Sequence, residues 1–365
     1  MPARKRNSYR YKTKYRRSKN LKRVKKTFKL VLVSLTGLFL FAVAFYLYSI
    51  SLVVKKPFAN ASSGLDLNDH SYDSVISFNV LFIQLDDLSD DYSNIQNLYL
   101  LNINPTKSKL LLLKIPTDTE IELSSTQGYG EVSKLYSMGN FADEKRGAEN
   151  VTEFIQRKLA IGVDAYVIYD KNTVNSFSDL GISVKQDELP SSLKFAYYLK
   201  IPGIFDSTRK NLKSDLSTIE ALKLFGDIKS ISPVDYSYYK LDSDDIKNPA
   251  KFDDKWQELT LASYLNTERE KVIVLNSTET SGVATWGARV VKNRGGVVID
   301  ATNQDEHYNE TVIYTDMPED GFLKYIATVV GAKKVLPTSD YTIDDFVVKR
   351  ADYLIVIGEN TSIRF

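Results

Sequence analysis

NLYLLNINPTKSKLLLLKI, residues 97–115, sets two apolar runs on either side of Pro105-Thr106-Lys107-Ser108. The runs 97–104 and 109–115 have strand length and no helical period, and the four residues between them are turn formers, so the stretch reads as a β-hairpin. Working outward, NVLFIQL (79–85) is a further buried strand that ends at Asp86-Asp87-Leu88-Ser89-Asp90-Asp91. Downstream, GAENVTEFIQRKLAI (147–161) places Val151, Phe154, Ile155 and Leu159 at the spacing of an amphipathic helix. AYVIYD (165–170) is another buried strand, and SFSDLGISV (176–184) follows it. RKNLKSDLSTIEALKLFGDIKS (209–230) reads as a closing helix with Leu216, Ile219, Leu222 and Phe225 on its apolar stripe. The order of elements is that of an α/β domain covering 75–245.

Residues 246–270 break at Pro249 and then read as a connecting helix with Trp256, Leu259, Ala262 and Leu265 near one face. A second, small domain is expected over 271–359. KVIVLNST (271–278) is a strand, and SGVATWGARVVKNRG (281–295) is a helix with Val283, Trp286 or Gly287, Val290 and Val291 as its stripe, stopped at Gly295-Gly296. VVIDATN (297–303), TVIYTD (311–316), GFLKYIATVVG (321–331) and ADYLIVIG (351–358) complete a β-α-β-β-α-β order, with KVLPTSD (334–340) as a short additional strand. Two such halves are expected to pack as a four-stranded sheet with helices on one face.

Leu30–Val54 is uncharged over 25 residues. As a helix it would span about 37 Å, enough to cross a hydrocarbon core of about 30 Å, and the stretch is predicted to be a transmembrane anchor. Ala59-Asn60-Ala61 has the form of a signal-peptidase site, but the apolar run exceeds the length of a signal-peptide core, which favours an uncleaved anchor. Residues 1–29 hold 14 Lys or Arg and no acid, so they are expected to stay in the cytoplasm as a basic tail. A linker then covers 55–74, and everything beyond Lys56 is placed outside the cell membrane. Tyr9, Tyr11 and Tyr15 among the cations could contact nucleic acid, but a basic block beside a membrane span is explained by topology and anionic lipid, and nucleic acid is not the expected partner.

The external residues carry all 46 acids. Cysteine is absent, which excludes a disulfide framework, a thiol nucleophile and cysteine-ligated zinc. His70 and His307 are the two histidines and lie far apart in the chain, which argues against a histidine metal site or a catalytic triad.

The succession of a strand, the NINP turn, a strand ending in IPTDTEI, a helix, YVIYD and DLGISV resembles the LytR-CpsA-Psr family. The C-terminal stretch, carried by VIVLNSTETSGVATWGARVVKNRG, VVIDATN, TVIYTD and YLIVIGEN, resembles the LytR C-terminal domain. The first resemblance implies a membrane-anchored envelope enzyme that transfers glycopolymer from a polyprenyl-pyrophosphate carrier to peptidoglycan. It places acidic residues at Asp86 and Asp118, and calls for arginine where this chain has Leu88 and Thr117. A pyrophosphate held for displacement needs positive charge around it, so the catalytic domain reads as degenerate, unless Arg209 or Lys114 replaces the missing cations. Magnesium is the expected ion only if the enzyme reading holds, with the Asp86–Asp91 cluster as one place for it, although the cluster lacks EF-hand spacing and a glycine and a solvated acidic loop is the favoured explanation of it. Gly282 beside a Ser-Thr-rich turn resembles an anion-binding helix start, but a helix cap explains it more simply.

The reading this favours is a non-catalytic envelope-binding or scaffold module that contacts peptidoglycan, polyprenyl-linked glycan or envelope proteins. The alternatives are the glycopolymer phosphotransferase itself and a membrane-tethered regulator working through the tail.

Overall fold

The computed structural model describes Tyr48 and residues 77–124, 128–142, 146–173, 175, 211–261, 269–341 and 350–362. The chain divides into two compact units, Met1–Lys56 and Pro57–Phe365. Of the first, only Tyr48 is described, helical and exposed. The basic tail, the rest of the uncharged run 30–54 and the linker therefore lie outside the described residues, as does 176–184. Among the described residues no helix is long and apolar enough to cross a membrane.

The larger unit is built on two sheets. The first comprises β1 (Phe78–Leu85), β2 (Ile95–Asn104), β3 (Lys109–Ile115), β6 (Ala165–Tyr169), β7 (Leu212–Ser214) and β8 (Tyr236–Lys240), in the order β7-β6-β1-β2-β3-β8. β4 (Glu120–Ser124) and β5 (Gly128–Glu131) form a separate hairpin. The hairpin expected over 97–115 is present, β2 pairing with β3 from Leu98↔Ile115 to Asn104↔Lys109. β1 is antiparallel to β2 and parallel to β6, and β3 is parallel to β8. It follows that β1, β3, β6 and β8 all finish at one end of the sheet.

The strands are apolar on both faces because both faces are covered. Leu81, Ile83, Leu98, Leu100, Leu111 and Leu113 pack with helix residues Val151, Phe154, Phe252 and Trp256 in one core. Val80, Leu101, Ile103 and Leu110 pack with Leu216, Leu224 and Ile231 in the other. The helices over the first face are α1 (Leu135–Ala142) and α2 (Gly147–Phe154). The segment expected to be one regular helix to residue 161 instead widens into a π turn over Ile155–Leu159, ending at Ala160 in the left-handed region (φ 51°). The closing helix also differs from expectation. Residues 212–214 form the edge strand β7, and α3 (Thr218–Ser230) begins at a capping box in which Ser217 and Glu220 satisfy each other's backbone N–H groups. Leu216 is buried just before it, and Leu224 and Ile228 continue its apolar side; the side chains of Ile219 and Leu222 lie outside the described residues. α4 (Ser243–Lys247) and α5 (Pro249–Leu261) follow, the second starting at Pro249, where a missing N–H costs nothing.

In the second sheet, β9 (Lys271–Asn276), α6 (Val283–Arg294), β10 (Val297–Asn303), β11 (Val312–Tyr314), α7 (Gly321–Val329), β12 (Lys334–Leu336) and β13 (Tyr353–Ile357) follow in chain order. The sheet has five strands, β10-β9-β13-β11-β12, the four of the two halves and the short additional strand expected within 334–340. The short stretch at 334–336 is the parallel partner of β11 and closes the second β-α-β unit, whereas YLIVI enters between the halves, parallel to β9 and antiparallel to β11. Burial explains the exchange. All five residues of β13 are buried, as a strand covered on both faces must be, while two of the three in β12 are exposed, which suits an edge. α6 ends at Gly295 with φ 104°, a left-handed cap open to glycine. At the sheet, Gly287 rather than Trp286 makes the close approach, since a Cβ there would lie 2.8 Å from Val274 and Ile357 side-chain atoms.

The side chains this leaves on the other side of α6 join the two sheets. Trp286 Nε1 donates to Gln156 O (2.9 Å), Arg289 Nη2 to Lys158 O (3.1 Å) and Asn293 Nδ2 to Leu159 O (3.2 Å). These are carbonyls at the end of the α2 helical run, where no intrahelical N–H remains for them. Arg289 also forks onto Asp253 of α5, at 2.6 and 3.0 Å, and Asn293 Nδ2 donates to Asp253 Oδ1 (2.8 Å). On the same seam, Gly162 N–H donates to the Tyr325 hydroxyl (2.6 Å), and a Cβ at 162 would fall 2.7 Å from the Tyr325 ring and against Val329. Gly162→Val is expected to lower stability by about 3 kcal/mol through overpacking, read as a fall in the urea midpoint; truncating the opposing side chain in Gly162→Val/Val329→Ala should restore part of it.

Candidate functional site

Ligand sites on sheets of this kind form where parallel strands end, which directs attention to the common end of β1, β3, β6 and β8. Asp86 follows β1 directly, is exposed, and donates its N–H to Asn94 O (3.1 Å). Asp118 is exposed in the turn after β3. Both expected acidic residues therefore stand at the same sheet end, but β2 lies between their strands, so the two are separated by roughly 10 Å of strand spacing. Among the described residues no group of three or more His, Asp or Glu could hold a metal ion.

The acidic loop closes on itself. Asp87 Oδ1 accepts from Ser89 N (2.8 Å) and Oγ (2.7 Å), which holds its carboxyl below the usual carboxylate range. Asp87 N–H donates to Ser93 Oγ (2.9 Å), and Asp90 Oδ1 accepts from Tyr92 N (2.9 Å). Asp170, at the end of β6, fastens this loop to the sheet by accepting from Leu88 N (3.4 Å) as well as Thr173 N (2.8 Å). Burial raises its pKa, but hydrogen bonds from Thr173, Leu88 and Asn172 outweigh this and hold it below the ordinary value. Leu88 packs against the first core and Thr117 gives its carbonyl to Ser133 N (2.8 Å), so neither position expected to carry arginine is replaced locally by a cation.

Positive charge comes instead from one face of the sheet. Register puts Tyr169, Gln84 and Asn97 in one row across β6, β1 and β2, and Phe82, Tyr99, Lys114 and Lys240 in the next across β1, β2, β3 and β8. Asn97 Nδ2 donates to Gln84 Oε1 (2.8 Å), and Lys114 Nζ stands 5.5 Å from the centroid of the Tyr99 ring, a cation–π contact. Burial, reinforced by Tyr99, raises the Tyr169 phenol above its ordinary value and keeps it neutral. Lys114 and Lys240 are register partners on adjacent parallel strands, with backbones about 4.8 Å apart. Among the described residues neither has a carboxylate partner. Two like charges so placed repel and are relieved by an anion between them.

Lys114 was visible in the sequence as a candidate cation; Lys240 was not, because YSYYK gives no clear strand signal and its partner strand is remote in the chain. Arg209 lies outside the described residues. Gly282 caps α6 at φ 85° without a side-chain bond, and the turn before it is closed by Asn276 and Thr278. His307 Nδ1 contacts Ser277 O at 3.1 Å, a loop contact.

Behind β6, Asp215 Oδ1 accepts from Tyr166 N (2.8 Å) while Oδ2 is buried without a hydrogen-bond partner among the described residues. Burial pushes this carboxyl up to about 7 from an ordinary 3.8. Because the folded value is the higher one, its stabilising contribution is complete below about pH 3.8 and is lost as pH rises through about 7. Asp215→Asn, which keeps the acceptor for Tyr166 N, should therefore remove a decline of about 4 kcal/mol between those limits, measured by urea unfolding across the pH range.

No family model matches the chain, and neither does any curated protein. Solved structures to which it is similar are LytR-CPS2A-psr family proteins. They include B. subtilis TagV, 16% identical over 46% of this chain and 85% of that one, with a TM-score of 0.37. TagT bound to LI-WTA is 16% identical over 56% and 97%, with a TM-score of 0.33. YwtF (TagT) with bound octaprenyl pyrophosphate lipid is 16% identical over 48% and 81%, with a TM-score of 0.30. At such low identity and TM-score these likenesses assign no ligand or activity to this chain.

Proposed function

We propose that this chain is a membrane-anchored envelope protein that takes a polyprenyl-pyrophosphate-linked glycopolymer on the outer side of the membrane and passes it to peptidoglycan. The observation that carries the reading is the Lys114–Lys240 pair: two cations in register, without a carboxylate partner among the described residues, at the sheet end where the acidic loop also lies. In such a transfer an acceptor hydroxyl attacks the glycan-bearing phosphorus, the P–O bond to polyprenyl phosphate breaks, and negative charge collects on the departing phosphate. Lysines aimed at that charge lower the barrier. Asp86, exposed at the same sheet end, is the carboxylate to which we assign the hydroxyl proton. The anchor over 30–54 and the outside location of the sheets rest on the uncharged run and the basic tail.

A second reading keeps the binding and drops the transfer. It is favoured by Leu88 and Thr117, which leave the site without the bidentate arginine contacts that hold a diphosphate most firmly. Incubating the chain with polyprenyl-pyrophosphate glycan and a peptidoglycan acceptor, with and without Mg²⁺, separates the two. Glycan becoming covalently attached to peptidoglycan, and ceasing to do so in Asp86→Ala, supports transfer; lipid bound without turnover supports the binding module.

A further inference from the structure

Tyr92 and Phe141 present bare rings to solvent beside the end of β1, one on the acidic loop and one on α1. They are 61% and 83% exposed, yet the rings meet edge to face with centroids 6.4 Å apart and planes at 62°. Rings so exposed contribute little to the core, and an exposed aromatic cluster on a surface marks a contact site more often than a single one does. Their backbones are fixed. Asn140 Nδ2 donates to Asp91 O (2.7 Å) and Asn140 Oδ1 accepts from Gly147 N (2.7 Å), which ties loop, α1 and α2 together. Ser93, buried beneath, takes the Asp87 N–H. A ledge held in this way loses little conformational entropy on binding.

Its surroundings decide the chemistry of the partner. Asp86, Asp87, Asp90 and Asp91 are all exposed on the same loop. Four carboxylates repel a polyanionic chain and an anionic bilayer surface alike, but they are good acceptors for hydroxyl donors. Aromatic faces in turn pack on the C–H faces of pyranose rings. We propose that the Tyr92–Phe141 ledge is a docking surface for a neutral, hydroxyl-rich glycan chain. It uses none of the residues of the Lys114–Lys240 face and does not rest on the transfer reading.

The test is calorimetric titration of the purified chain with chitopentaose, cellopentaose and maltopentaose. Saturable binding of at least one is expected. Tyr92→Ala and Phe141→Ala should each weaken it about tenfold, Phe141→Tyr should retain it, and Lys114→Met/Lys240→Met should leave it unchanged. The substituted positions are solvent-facing, so the variants fold. No saturable binding to any of the three, or binding that the Tyr92→Ala/Phe141→Ala double variant keeps, would overturn the proposal. So would adsorption to phosphatidylcholine–phosphatidylglycerol vesicles, or a dimer in solution, that the double variant loses.

Discussion

Asp253→Ala is expected to lower the unfolding free energy by about 3–5 kcal/mol. The Arg289 and Asp253 side chains are only 16% and 13% exposed, and their contact at 2.6 Å is one arm of a fork. Removing the carboxylate leaves a guanidinium in a place poorly reached by water and strips Asn293 of a partner at the same time. Charges this shielded cost far more when orphaned than they contribute as a pair. Urea unfolding should show the midpoint fall with little change in slope. Asp253→Ala/Arg289→Met should regain most of the loss, since no charge then remains unpaired. A cost below about 1 kcal/mol for the single variant would mean that the seam is wet and screened like an exposed pair. We also propose that 271–359 is an independent domain: a segment starting near residue 267, expressed alone, should be soluble and unfold in one cooperative step.

The second large effect is expected at the lysine face. Lys114→Met and Lys240→Met keep the aliphatic stems and remove the charges. If the pair meets the departing phosphate, each substitution should reduce transfer by about 10²–10³, and the double variant by less than the product, because both cations serve one anion. Lys240→Arg should retain most of the rate. A double variant within twofold of the parent would show that the diphosphate is held elsewhere, with Arg209 the next residue to substitute.

Much of the local architecture can be read from the chain. The turn at Pro105–Ser108 between two apolar runs, the helix stop at Gly295 and the helix start at Pro249 are short-range signals, in which the residues that specify the element are the residues that form it. The positions of Asp86 and Asp118 at strand ends follow from the same local pattern. Three decisions were made only in three dimensions. Which of two apolar stretches, 334–336 or 353–357, takes the central place between β9 and β11 and which the edge depended on which could be buried on both faces. The π turn at Ile155–Leu159 is supported by side-chain N–H donors of α6 to its carbonyls, more than a hundred residues later in the chain. Lys240 becomes Lys114's neighbour only because β8 returns to the edge of β3. Local pattern determines which segments are strands and helices, because backbone propensity and side-chain alternation act within a few residues. Register and seam are set by burial between segments far apart in the chain, and the cation pair proposed to bind phosphate is a product of that register.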